Sequence, residues 1–175
     1  QSSAKAAKQL VLEEYPDKSI LVLDSKATGP ALVLCIRKLK EWIEVGYSME
    51  EIKQKAHALL EKTHTVFALS SFDNLVRNGR MSSIVGFVAR KLGMWGIGID
   101  NKHGEIQIKG KARGPKGALS IILEDMKSRN FCGDEVVISH CHNERMATRL
   151  KALILERWQA AKVTILPTRG LDTFY

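Results

Sequence analysis

Ile20-Leu-Val-Leu23-Asp24-Ser-Lys-Ala-Thr-Gly-Pro30 joins a short apolar run to a polar loop with a glycine and then to a proline suited to a first helical turn. The pattern predicts a strand over 20–23 that runs through the loop into an amphipathic helix. Leu32, Cys35, Ile36, Leu39, Trp42 and Ile43 recur at helical spacing until Gly46 stops it. Such a junction can seat an anion, because helix-start amides lack internal partners and the helix dipole is positive there. Thr28 and Ser25 add hydroxyl donors, and Gly29 lets the backbone approach closely. Two readings stay open at this point: a seat for a carboxylate or phosphate, or a Thr28 that only caps its helix. A nucleotide-hydrolysing loop has little support, since G-x-x-x-x-G-K-[ST] is absent and Lys26 precedes the glycine.

Outward from that junction, residues 2–14 read as a helix with Ala4, Ala7, Leu10 and Val11 on one face, followed by a turn at Pro16. Ser48 and Glu51 form an S-x-x-E capping box for a helix carrying Ile52, Ala56, Leu59 and Leu60. One strand cannot make a sheet, and the first helix has nothing before it to pack against, so the chain reads as a fragment of a longer one. From His64 the texture changes to short strands: 65–69, 95–99, 105–108, 135–139 and 163–166. Asp100-Asn-Lys-His-Gly104 reads as a hairpin loop, with helices near 115–129, led by Pro115, and 143–158, capped by Asn143. A second domain is therefore expected from residue 64, and the element order implies a mixed sheet with helices covering one face.

The 175 residues, 45% hydrophobic, suffice for a packed core and exclude disordered and fibrous classes. No run is long and apolar enough for a membrane span, and Gln1-Ser-Ser-Ala-Lys-Ala-Ala-Lys8 has no signal-like apolar centre, which points to a soluble cytoplasmic protein. Cys35, Cys132 and Cys141 form no C-x-x-C pair and suit a reducing compartment. The net charge of +8 raises nucleic acid as a partner, yet the basic residues are scattered among acidic ones with no aromatic-basic signature. A DNA-binding regulator therefore rests on charge alone, and no nucleic-acid partner is expected.

Further candidates lie in residues 71–92. Ser71 to Ser83 reads as helix, stop, helix, with Gly79 ending the first and Arg80 held between two termini. Arg80 could clamp a carboxylate or phosphate bidentately, or simply bond the last carbonyls of the preceding helix. The helix over 83–92 carries Ile84, Val85, Phe87, Val88 and Leu92, with Gly86 among them, and is either core or the wall of an apolar tunnel. Ser139-His-Cys-His-Asn143 gathers metal-capable groups, but neighbours alternate sides and no second cluster completes four ligands, so no metal is expected. A Cys141 nucleophile is poorly supported by adjacent histidines, and no base and nucleophile assemble for a small-molecule phosphotransferase or hydrolase.

Asp24-Ser-Lys-Ala-Thr-Gly-Pro30 and the Asn78-Gly-Arg-Met-Ser82 turn together resemble the DegV family of bacterial fatty-acid-binding proteins. Lys111-Ala-Arg-Gly-Pro-Lys116, Val136-Val-Ile-Ser-His140, Thr168-Arg-Gly-Leu171 and the hairpin with Gly104 extend the resemblance over nearly the whole chain. It implies an α/β fold, part of a Rossmann-like α/β domain (1–63) followed by a second α/β domain with a mixed, largely antiparallel sheet and helices (64–175). It also implies a carrier with no catalytic residue and no cofactor, which binds a long-chain fatty acid and presents it to a separate fatty acid kinase. By motif, Thr28, Gly29 and Ser25 would hold the carboxylate, Arg80 would meet the head group or the kinase, and Ile84, Phe87 and Val88 would line the acyl pocket. The family's N-terminal loop, with its own carboxylate-contacting threonine, has no match here. Its T-H-x-G-P-G element is replaced by Thr168-Arg-Gly-Leu-Asp-Thr-Phe-Tyr175, which leaves that head-group contact to Tyr175 or to chain beyond it.

Overall fold

The computed structural model describes residues 2–71, 94–101 and 103–168. In chain order these form α1 (Ser2–Glu14), α2 (Gly29–Val45), α3 (Met49–Lys62), β1 (Val66–Leu69), β2 (Met94–Asp100) and β3 (Ile106–Arg113). They continue with α4 (Gly114–Ser128), β4 (Glu135–His140), α5 (Glu144–Arg157) and β5 (Lys162–Pro167).

Local signals set most helix ends. Gly46 takes φ 88° and closes α2, its N–H reaching the Ile43 carbonyl at 3.0 Å while Tyr47 N–H reaches Trp42 at 3.1 Å. Ser48 Oγ accepts from Glu51 N–H at 3.3 Å and Glu51 Oε2 accepts from Ser48 N–H at 2.8 Å, so the capping box forms in full. Asn143 does not cap α5 with its side chain. Its amide instead reaches Met146 Sδ at 3.6 Å, and its backbone N–H donates to His140 Nδ1 at 3.2 Å.

The strand expected over 20–23 does not form, and residues 18–28 are irregular. A strand exists only through a ladder partner, and among the described residues none lies beside this run. The apolar face of α1 is likewise uncovered, with Leu10 66% exposed.

The antiparallel and parallel pairings that the strand order implies are both present, divided between two sheets. β1, β2 and β3 make an antiparallel sheet in that order, and β4 and β5 pair in parallel. The β2–β3 hairpin closes on Asn101, whose Oδ1 accepts from the N–H of His103 at 2.8 Å and of Glu105 at 2.9 Å. Helix α4 joins the sheets. Ala118 packs with Ile97 and Ala112 on the antiparallel sheet, while Leu123 packs with Ile154 and Ala161 beside the parallel pair. Phe131 and Trp158 close that second cluster edge to face, their centroids 5.2 Å apart. Helix α2 lies along β4, where Lys38 bonds Glu135 at 3.1 Å and Arg37 reaches Thr164 at 3.2 Å.

Candidate functional site

Between α2, α4, β1 and β4 lies a cavity of about 760 Å³, within the range of ligand pockets of roughly 300–1,000 Å³. Its lining includes the apolar residues Leu34, Phe67, Leu119, Ile122 and Ile138. Its ends differ in chemistry. Along one end stand Pro30 and Ala31 of the first turn of α2, Ser139 and His140 at the finish of β4, Asn143 and Thr168. Along the other stand the four lining carboxylates among the described residues, Glu61, Asp125, Asp134 and Glu135, together with Lys38, Lys62 and Arg129. Glu135 and His140 are the two ends of β4, about 17 Å apart at ordinary strand rise.

Thr28 occupies the N-cap position of α2 with extended backbone (φ −133°, ψ 171°), is exposed, and makes no side-chain capping bond. The reading in which Thr28 only caps its helix therefore has no hydrogen bond behind it. Gly29 follows at φ 53°, a conformation glycine adopts cheaply, and it turns the chain into Pro30 and Ala31 at the cavity wall. Ser25 is already engaged: its Oγ donates to the Ala27 carbonyl at 3.2 Å and accepts from the Ala27 N–H at 3.3 Å. Arg80, Ile84, Phe87, Val88, Gly79, Gly86 and Tyr175 lie outside the described residues.

The structure adds contacts that spacing did not predict. Thr168 Oγ1 donates to the His140 carbonyl at 3.3 Å and its N–H to the same oxygen at 2.8 Å, which ties the chain after β5 to the end of β4. Because His140 Nδ1 accepts from Asn143, a neutral His140 carries its proton on Nε2. At the opposite end the Asp125 side chain is only 2% exposed. Arg129 Nε bonds its Oδ2 at 2.8 Å, and the Lys109 ammonium stands 3.1 Å from Oδ1 without a well-aligned hydrogen bond. The Asp125–Arg129 pair at i,i+4 is readable from sequence. Lys109 is not, because it comes from the irregularity in β3 that shifts register between Ile97 and Gly98 of β2.

His64, beside this end, is held below the ordinary histidine value by partial burial first and by the Arg129 charge second, with Asp100 and Asp125 opposing. Burial also raises the Cys35 thiol above its ordinary value. Among the described residues no three His, Cys, Asp or Glu groups converge as a metal site, and no helix is long and apolar enough to cross a membrane.

An antiparallel sheet and a parallel strand pair joined by α4, with a largely apolar cavity beside them, define an α/β fold. A family model described as "Uncharacterised protein, DegV family" matches residues 1–171, and the chain belongs to that family. A DegV domain-containing protein of Streptococcus gordonii is 35% identical over 174 residues, covering 99% of this chain and 62% of that protein. The chain thus spans about three fifths of the length of such curated relatives. Among solved structures, a DegV family protein from Eubacterium eligens loaded with heptadecanoic acid superposes with a TM-score of 0.92 at 33% identity. That match covers 99% of this chain and 63% of the other. The Streptococcus pneumoniae Fatty Acid Kinase (Fak) B3 protein loaded with linoleic acid gives a TM-score of 0.92 at 35% identity, with 99% and 62% covered.

Proposed function

We propose that the protein of which this chain is part is a cytoplasmic carrier that binds one long-chain fatty acid, without a cofactor, and presents it to a fatty acid kinase. In this reading the division near residue 64 separates the portion that holds the carboxylate from the portion that buries the chain. The observation that carries it is the cavity itself: largely apolar in its lining and bordered by Pro30 and Ala31 at the start of α2. At about 0.8 kcal/mol per buried CH₂, a long acyl chain offers on the order of 10 kcal/mol before association costs. A carboxylate desolvated without donors would cancel much of that gain; in this reading the first amides of α2 supply them, with the exposed Thr28 hydroxyl, which is not among the lining residues, next to them in the chain. Among the described residues the four lining carboxylates stand with the lining cations Lys38, Lys62 and Arg129, which offset most of their charge, so in this reading the start of α2 is what orients the acid.

Kinase presentation is supported by the Streptococcus pneumoniae relative, whose name places it in such a system. Native mass spectrometry of the full-length protein after mild purification tests the ligand: the expected spectrum contains a fatty-acid adduct that delipidation removes and added acid restores. A delipidated protein that takes up no added acid would defeat the reading. Incubation with a fatty acid kinase and ATP tests the partnership, with acyl phosphate expected only when both proteins are present.

A further inference from the structure

The loop that leads into α2 is touched by a distant part of the chain. Gly104, at the tip of the β2–β3 hairpin, takes φ 78°, and a Cβ built on it would stand 2.9 Å from the Lys26 carbonyl oxygen, 3.1 Å from Lys26 Cβ and 3.4 Å from the Lys26 carbonyl carbon. The nearest of these atoms is backbone, which cannot swing aside as the end of a side chain can. Lys26 is itself left-handed at φ 47°, a conformation a residue with a side chain keeps only where its surroundings impose it. Thr28 and Gly29 follow directly along the chain. The two sides of this contact differ in stiffness. The tip is closed by five hydrogen bonds of 2.8–3.0 Å: Asn101 N–H to the Glu105 carbonyl, Gly104 N–H to the Asn101 carbonyl, the N–H groups of His103 and Glu105 to Asn101 Oδ1, and Asn101 Nδ2 to Glu105 Oε2. It also continues the ladder that pairs Asp100 with Ile106. Residues 24–27 turn on longer, local bonds of 3.2–3.3 Å, from Lys26 N–H to Asp24 Oδ1 and between Ser25 Oγ and Ala27, and they belong to no strand. The loop is therefore the side that yields when the two are pressed together.

We infer that Gly104 is a positioning residue for the head-group end: the hairpin tip is the stop against which the 24–28 loop rests, and the absent side chain at 104 sets where Thr28 and the first amides of α2 stand. The inference rests on the fatty-acid reading and adds to it a residue from the second half of the chain that acts through Lys26. A methyl group at 104 pushes Lys26, and with it Thr28, away from the tip. The hold on a carboxylate weakens, while burial of the acyl chain stays as it was.

Calorimetry on the delipidated full-length protein, with a fatty acid and the matching alcohol as paired ligands, tests the inference through the ratio of the two affinities. Gly104→Ala is expected to lower acid affinity about tenfold and alcohol affinity by less than about twofold. Gly104→Asn is expected to lower the ratio as much, because asparagine tolerates left-handed backbone but still carries the Cβ. Gly46→Ala supplies the same backbone strain, at φ 88° with no atom within 4 Å of the added methyl among the described residues, and is expected to leave the ratio unchanged. A ratio unchanged by Gly104→Ala, restored by Gly104→Asn, or lowered equally by Gly46→Ala overturns the inference. If neither Gly104 variant folds, Asn101→Ala decides: it removes three of the tip's bonds and is expected to lower the ratio about threefold, and an unchanged ratio overturns the stop. Unmodified protein that binds neither ligand defeats the fatty-acid reading, and unmodified protein that binds both alike defeats its head-group part, so those failures are read before any variant.

Discussion

The two ends of the cavity are built from opposite parts of secondary structure and carry opposite chemistry. Near Pro30 and His140 a helix begins and a strand finishes, and Ser139 and Thr168 line the space there. Near Asp125 a helix finishes, and carboxylates with their cationic partners close the space. The first end holds the start of a helix; at the second, Asp125 is paired with Arg129 and Lys109, and Glu135 with Lys38. A single long anion would therefore enter with one orientation, and the difference is a consequence of chain direction before it is one of side-chain choice.

Removing the internal neutralisation should have the largest effect. Asp125→Ala leaves Arg129 and Lys109 without their shared carboxylate and is expected to cost about 3 kcal/mol of stability, read as a lowered urea midpoint at unchanged slope. A midpoint shift no larger than that of an exposed substitution would show that this end is not a closed ionic unit. At the other end, Thr28→Ala is expected to weaken binding of a fatty acid by about 2 kcal/mol and of the matching alcohol by far less. Equal losses, measured by calorimetry, would remove Thr28 from the head-group site.

Ser48→Ala calibrates both results because it lies in neither end. It deletes the α3 capping box and should cost about 1 kcal/mol in the same urea melt while leaving acid affinity untouched. The smallest effect concerns pH. His64 takes its proton less readily in the folded chain, so acidification favours the unfolded state, which binds that proton first. Its contribution is fully present above the ordinary histidine value of about 6.5 and is lost as pH falls through the lower folded value. His64→Gln should flatten that part of the stability profile, and an unchanged profile would mean that Arg129 and burial do not act on it.

Several features were legible before any fold was known, and the reason is locality. Gly46 and the Ser48–Glu51 box act within one helical turn, and the Asn101 turn acts within five residues, so each is complete in its own sequence window. The Ile20–Leu23 run failed the same test because a strand is a property of two segments. Asn143 failed as a side-chain cap because His140, three residues earlier, receives its N–H and Met146 receives its amide. Phe67 read only as part of a strand, and nothing in its neighbourhood announced a contact with a glycine thirty-one positions away.

By itself the sequence determined the helices of the described residues and most of their ends, the strands from residue 66 onward, and the hydroxyl-glycine junction ahead of α2, because hydrogen bonds between near neighbours and apolar periodicity govern all of these. Tertiary structure alone decided which strands share a sheet, that Lys109 reaches Asp125, that Phe67 sits over Gly98, and that a cavity separates an amide end from a carboxylate end. Those outcomes depend on contacts between segments far apart in the chain, whose geometry no local window contains.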